Sequence, residues 1–124
     1  MATINGTAGD DTLSTGSGGN VVRAGDGNDR IEDLNSVRDT VFAGAGDDVF
    51  VSAQTGGGSD LVFMEGGNDT VFLGRVDTGF RALNETVDGG DGIDTFDYSN
   101  YPTALINVDL SESGAVSSDQ LVSQ

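Results

Sequence analysis

The chain has 124 residues and a formal net charge of −16, with 21 acidic residues against five basic ones, all arginine. So acidic a chain argues against nucleic acid or an anionic membrane as partner. It has no cysteine and no histidine, which excludes a disulfide framework, a thiolate metal site and an imidazole base. The length is that of one domain. Met1 to Gly6 has no cationic region followed by an apolar core, so no ordinary signal peptide is expected there. No apolar run is long enough to span a bilayer.

From Gly6 onward a nine-residue pattern recurs. Its clearest copies are Ala24-Gly25-Asp26-Gly27-Asn28-Asp29-Arg30-Ile31-Glu32 and Gly89-Gly90-Asp91-Gly92-Ile93-Asp94-Thr95-Phe96-Asp97. Nine copies fall at 6–14, 15–23, 24–32, 34–42, 43–51, 55–63, 64–72, 80–88 and 89–97. The sixth position holds Asp11, Asn20, Asp29, Asp39, Asp48, Asp60, Asp69, Glu85 and Asp94. The eighth holds Leu13, Val22, Ile31, Val41, Phe50, Val62, Val71, Val87 and Phe96. Glycine fills the fourth position in every copy except those with Val37 and Leu83. A flexible Gly-rich linker would not keep three positions in phase.

Each position has a physical reading. Glycine lets the chain turn through positive φ and lets a carbonyl approach an ion. A hard cation takes carboxylate and carbonyl oxygens, which such a turn and its Asp supply; an Asp there can also serve only as acceptor for turn amides. The last three residues of each copy extend as a short strand, and alternation turns the eighth inward and the seventh and ninth outward. A strand so short buries nothing alone, so the copies must stack.

The phase breaks at Asp33, at Ser52-Ala53-Gln54 and from Leu73 to Gly79, always after an odd copy. Odd copies carry the turns GTAGDD, AGDGND, AGAGDD, MEGGND and GGDGID, whereas the even turns TGSGGN, LNSVRD, TGGGSD and FRALNE drift from the pattern. If two copies make one coil, every insertion emerges on one edge. The opposite edge is then expected to be the regular one.

These residues resemble the repeats-in-toxin (RTX) family of secreted bacterial proteins, over roughly residues 6–97. The resemblance implies an all-β fold, a right-handed parallel β-roll of about nine nonapeptide repeats with Ca²⁺ between successive turns. On this chain that implies a ladder of Asp11, Asp29, Asp48, Asp69 and Asp94. The carbonyl donors would come from the turns of Gly6, Gly9, Gly25, Gly27, Gly44, Gly46, Gly66, Gly67, Gly90 and Gly92. About four or more ions are expected, most of them on the odd edge, with Asp60 the best remaining ligand opposite. A core of one thin row from each sheet, in so acidic a chain, implies folding that requires calcium. Sites that fill at extracellular calcium suit a protein exported by type I secretion and folded outside the cell.

Beyond Asp97, Thr103 to Leu110 alternates, with Ala104, Ile106, Val108 and Leu110 on one face, and reads as a capping strand at 103–110. The roll domain is thus expected over 1–110, with 111–124 a polar, flexible tail. No catalytic role is expected, because the aspartates are committed to turns. The expected function is a calcium-binding folding and stabilising module of a secreted protein. The competing reading is a structural or adhesive building block such as a surface layer, particle coat or adhesin. It rests on the outward ninth position, where Phe42, Phe63 and Phe72 offer an apolar stripe for self-association or a protein partner. Phe42 and Phe63 are expected to stack on one face, and Val51 and Phe72 on the other.

Overall fold

The structure is a computed structural model, and it describes residues 1–34, 37–52, 60–73, 86–97 and 120–122. These form eleven short strands and no helix. Strands β1 (Thr3–Asn5), β3 (Val21–Asp26), β5 (Thr40–Ala45), β7 (Leu61–Gly66) and β9 (Thr86–Asp88) make one parallel sheet in that order. The other parallel sheet runs β2 (Thr12–Ser14), β4 (Arg30–Asp33), β6 (Val49–Ser52), β8 (Thr70–Leu73), β10 (Thr95–Asp97) and β11 (Gln120–Val122). The chain alternates between the two sheets, one strand at a time, which makes a parallel β-solenoid.

Register places the repeat's eighth residues in two inward columns. Ile4, Val22, Val41, Val62 and Val87 are Cα partners down one sheet. Leu13, Ile31, Phe50, Val71 and Phe96 line up down the other. From Val22 to Phe96 these residues are buried, while Ile4 and Leu13, on the terminal strands, are only partly covered. Ala24, Ala43 and Met64 add a further buried column at the first position of odd copies. Two residues beyond the eighth, they point inward by the same alternation.

The spacing between coils grows along the chain. Equivalent residues are 18 apart in the first coils, then 19, 21 and 25. All of this growth falls in the connections from the β2-containing sheet to the β1-containing one, the even turns. Odd turns keep one length, and their backbones continue the sheet: Gly25 pairs with Gly44 and Gly44 with Glu65, while Asp26 pairs with Ala45 and Ala45 with Gly66.

Three expectations change. Strand β1 precedes the first copy, so Thr3-Ile4-Asn5 is a strand of the roll outside the nine copies, paired with β3. Asp33 and Ser52, which the nine-residue phase leaves as insertion residues, end β4 and β6, are Cα partners of one another and are buried. The segment 103–110, expected to cap the roll, lies outside the described residues. The strand that pairs with β10 is β11, from the segment expected to be a flexible tail; its Leu121 is in register with Phe96. In backbone register Leu121 is the sixth residue of the row that runs from Leu13 to Phe96, which a reading based on the tail's average polarity passes over.

Candidate metal centre

Each odd turn ends on an Asp just before a strand, and the stack brings these aspartates into one column. The Asp11 amide donates to Asp29 Oδ1 at 2.8 Å, Asp29 N to Asp48 Oδ1 at 2.7 Å, Asp48 N to Asp69 Oδ1 at 2.8 Å and Asp69 N to Asp94 Oδ1 at 3.0 Å. One oxygen of each of the Asp29, Asp48, Asp69 and Asp94 carboxylates is therefore held by the amide of the preceding coil. The second is not: Oδ2 of Asp29, Asp48 and Asp69 is buried and accepts no hydrogen bond. A buried carboxylate oxygen without a donor is costly, and a cation is the partner that would satisfy it.

Burial is the largest cause of the raised pKa of all three groups, and neighbouring aspartates push in the same direction against the backbone hydrogen bond. Asp48 is raised to about 6 and Asp69 to about 8, with Asp29 raised in the same direction. Adjacent carboxylates in one column repel when charged.

The glycines that were assigned as carbonyl donors occupy the same stacked turns. Gly46 N donates to the Gly66 carbonyl at 2.8 Å, Gly27 N to Ala45 O at 2.9 Å and Gly67 N to Asp91 O at 3.0 Å. A Cβ on Gly44 would overlap the Gly25 carbonyl, and one on Gly46, Gly67 or Gly92 would overlap the carbonyl of Gly27, Gly46 or Gly67. Successive turns thus lie so close that carbonyls fill the space a side chain would need. Gly9, Gly25 and Gly90 join this contact: a Cβ on Gly27 would meet Gly9, one on Gly25 would overlap Thr7 O, and one on Gly90 would overlap Glu65 O. Gly66 stands apart, with open space where its Cβ would be. At the ends of the column, Gly6 and Gly89 lie against Oδ2 of Asp11 and Asp94. Asp11 differs from the inner aspartates because its Oδ2 accepts from Thr7 N at 2.5 Å and Thr7 Oγ1 at 2.9 Å.

The even edge carries the same kind of rail. Ala2 N donates to Asn20 Oδ1 at 2.8 Å, Asn20 N to Asp39 Oδ1 at 2.6 Å and Asp39 N to Asp60 Oδ1 at 2.8 Å. Asp39 and Asp60 are buried. The expectation of a weaker even edge therefore describes its turn lengths and glycine pattern, but not its amide–carboxylate rail.

A second rail on the odd edge was missed. Asn28 N donates to Asp10 Oδ1, Asp47 N to Asn28 Oδ1, Asn68 N to Asp47 Oδ1 and Ile93 N to Asn68 Oδ1, at 2.8 to 2.9 Å. The signal was present, since the fifth position of four odd copies holds Asp or Asn. These exposed side chains satisfy turn amides and leave the inner column to the sixth position.

All donors at the inner column are oxygens, the set that suits a hard cation with flexible coordination. Stacked glycine turns, a carboxylate column and two parallel sheets define a cation-binding β-solenoid. The family model for the RTX calcium-binding nonapeptide repeat (4 copies) matches residues 3–32, 38–54 and 51–71, more than half of the chain, and the chain belongs to that family. It is a calcium-binding repeat module. Neither the curated proteins nor the solved structures contain a significant match to it. Residues 86–97 lie beyond the matched segments and still keep the register, as β9 on β7 and β10 on β8.

Proposed function

We propose that this chain is a calcium-dependent folding module of a secreted bacterial protein, disordered at cytosolic calcium and ordered by the calcium outside the cell. The observation that carries this reading is the row of buried Oδ2 atoms on Asp29, Asp48 and Asp69 without a hydrogen-bond donor. A protein with so thin a core has little to offset that charge. Calcium bound between turns would supply it, together with links from one coil to the next. The five aspartates of the odd column leave four gaps, so about four ions would fill that edge. RTX repeats are typical of secreted bacterial proteins, which supports export; in this reading the carboxylates are ligands and the module has no catalysis of its own. Far-UV circular dichroism tests it. The expected result is coil in chelator and β-structure after millimolar Ca²⁺, with Mg²⁺ much weaker. A β-signal that chelator leaves unchanged would overturn the reading.

A structural or adhesive role has one specific observation in its favour. The Phe42 and Phe63 rings stack with centroids 5.2 Å apart, Arg23 lies 4.7 Å over Phe42, and Phe72 is 38% exposed on the other sheet. A stacked ladder already satisfies much of the first pair, so Phe72 is the stronger candidate contact. Light scattering in calcium separates the readings: a monomer at all concentrations argues for the folding module. Concentration-dependent association that Phe72→Ser removes argues for the building block.

A further inference from the structure

On the odd edge the residue that enters each of the three inner turns is apolar and buried, as Ala24, Ala43 and Met64. On the even edge the same inward column reads Thr15, Asp33 and Ser52, and all three are buried at 0 to 1% exposure. Thr15 Oγ1 donates to Asp33 Oδ1 at 2.8 Å. Behind the even rail, therefore, the interior holds a carboxylate flanked by two hydroxyls. Asp33 has a carboxylate oxygen within 4.8 Å of one from Asp39 and one from Asp60, and those two are within 4.8 Å of each other. Three buried carboxylates so close repel strongly when charged.

A separate feature points to a ligand. Ser52 is 1% exposed, its Oγ has no hydrogen-bond partner, and it is the Cα partner of Asp33 on the neighbouring strand. Both residues belong to the inward set of their strands, so the hydroxyl is turned into the same interior column as the Asp33 carboxylate. A hydroxyl beside a carboxylate ordinarily donates to it. An Oγ left without a partner there suits a metal ligand, whose lone pairs face the ion.

We propose that Asp33, Asp39, Asp60 and the Ser52 hydroxyl form an additional, inward-facing site for a hard divalent cation, calcium by the oxygen donor set. This rests on the reading of the chain as a calcium-binding module, but uses different chemistry. The turn Leu34-Asn35-Ser36-Val37-Arg38-Asp39 lacks the glycines whose carbonyls crowd the odd turns. A carboxylate entering from the strand end takes over the role of those carbonyls. Asp33 thus lies outside the nonapeptide's own ligand position, at the point where the spacing first grows from 18 to 19.

Wild-type crystals grown with terbium in place of calcium decide the matter through anomalous scattering. A peak in contact with Asp33, Asp39 and Asp60 supports the site. Peaks confined to the edge of Asp11 to Asp94 overturn it and leave the folding-module reading intact, whereas no bound metal anywhere overturns both. In solution, Asp33→Asn keeps an acceptor for Thr15 and should lower bound calcium by about one ion per chain, counted by equilibrium dialysis. An unchanged count also overturns the site; a variant that does not fold leaves the decision to the wild-type crystals.

Discussion

Asp48 occupies the middle of the odd column, so its replacement by Asn separates charge from hydrogen bonding. The asparagine carbonyl can still accept from Asp29 N, a contact of 2.7 Å in the structure. What is lost is one negative charge shared by the gaps toward Asp29 and Asp69. If each neighbouring site binds tenfold more weakly, each contributes about 1.4 kcal/mol less when calcium was in hundredfold excess, or about 2.7 kcal/mol for the two. With about four ions taken up on folding, a tenfold change in calcium is worth about 5.5 kcal/mol, so the folding midpoint should rise about threefold. Asp48→Ala also strands the buried Asp29 amide, which adds about 1–3 kcal/mol and brings the rise to roughly sevenfold. In chelator the order reverses, because Asp48→Asn removes a buried charge. The assay is a calcium titration followed by circular dichroism. An Asn variant with the wild-type midpoint would refute the assignment of Asp48 as a ligand, and one as damaged as the Ala variant would mean that the amide contact, not the charge, carries the effect.

Three further outcomes follow from the same geometry. Gly46→Ala should abolish the calcium-induced β-signal at calcium that saturates the wild type, since φ there is 137° and a Cβ would overlap the Gly27 carbonyl; Gly66→Ala, with open space at its Cβ, should change the midpoint little, and equal damage from both would refute the close-stacking argument. Glu65 is a non-glycine residue at φ 74° in register with Gly44, so Glu65→Gly should stabilise the fold by about 1 kcal/mol and lower the calcium midpoint; a raised midpoint would mean that the Glu65 carboxylate is needed. In chelator, β-structure should increase as pH falls from 8 toward 4, because Asp48 and Asp69 have pKa values raised to about 6 and about 8 in the fold from 3.8. The sign is that of acids bound more tightly by the folded state: their contribution to stability is complete below the unfolded value and is lost as pH rises through the folded ones. A metal-free chain whose circular dichroism is flat or loses β-signal on acidification would contradict this.

The sequence made the core column legible because the eighth residue obeys one rule in every copy, and Val22 to Phe96 are buried as that rule requires. The aspartate column was equally plain, since phase alone stacks the sixth positions. Phe42 on Phe63 also follows from register. What was not legible depends on where a strand ends. Counting nine residues per copy assigned Asp33 and Ser52 to loops, whereas the chain extends each strand by one inward residue and lengthens the turn afterward. Ala24, Ala43 and Met64 hold the corresponding inward position on the odd edge, and the nine-residue phase places them in turns because it starts each copy at that residue. Strand β11 could not be read from period, since Gln120–Val122 lies outside the nine copies.

The spacing of 18, 19, 21 and 25 explains why one edge can lengthen while the other cannot. A rail of amide-to-carboxylate hydrogen bonds needs only that the last residue of each turn be superimposed on its neighbours. Insertions placed earlier in the turn leave it intact, and Asn20, Asp39 and Asp60 keep it across the growing even turns. An ion held between turns needs more, because carbonyls from both turns must also meet it. Gly25, Gly44 and Glu65, and Asp26, Ala45 and Gly66, stay in register only if every odd turn has the same length. A single inserted residue there would shift one turn's carbonyls off the next, so the odd edge is held to six residues. The even edge, free of that requirement, can lengthen its turns and admit a carboxylate such as Asp33 from the strand end.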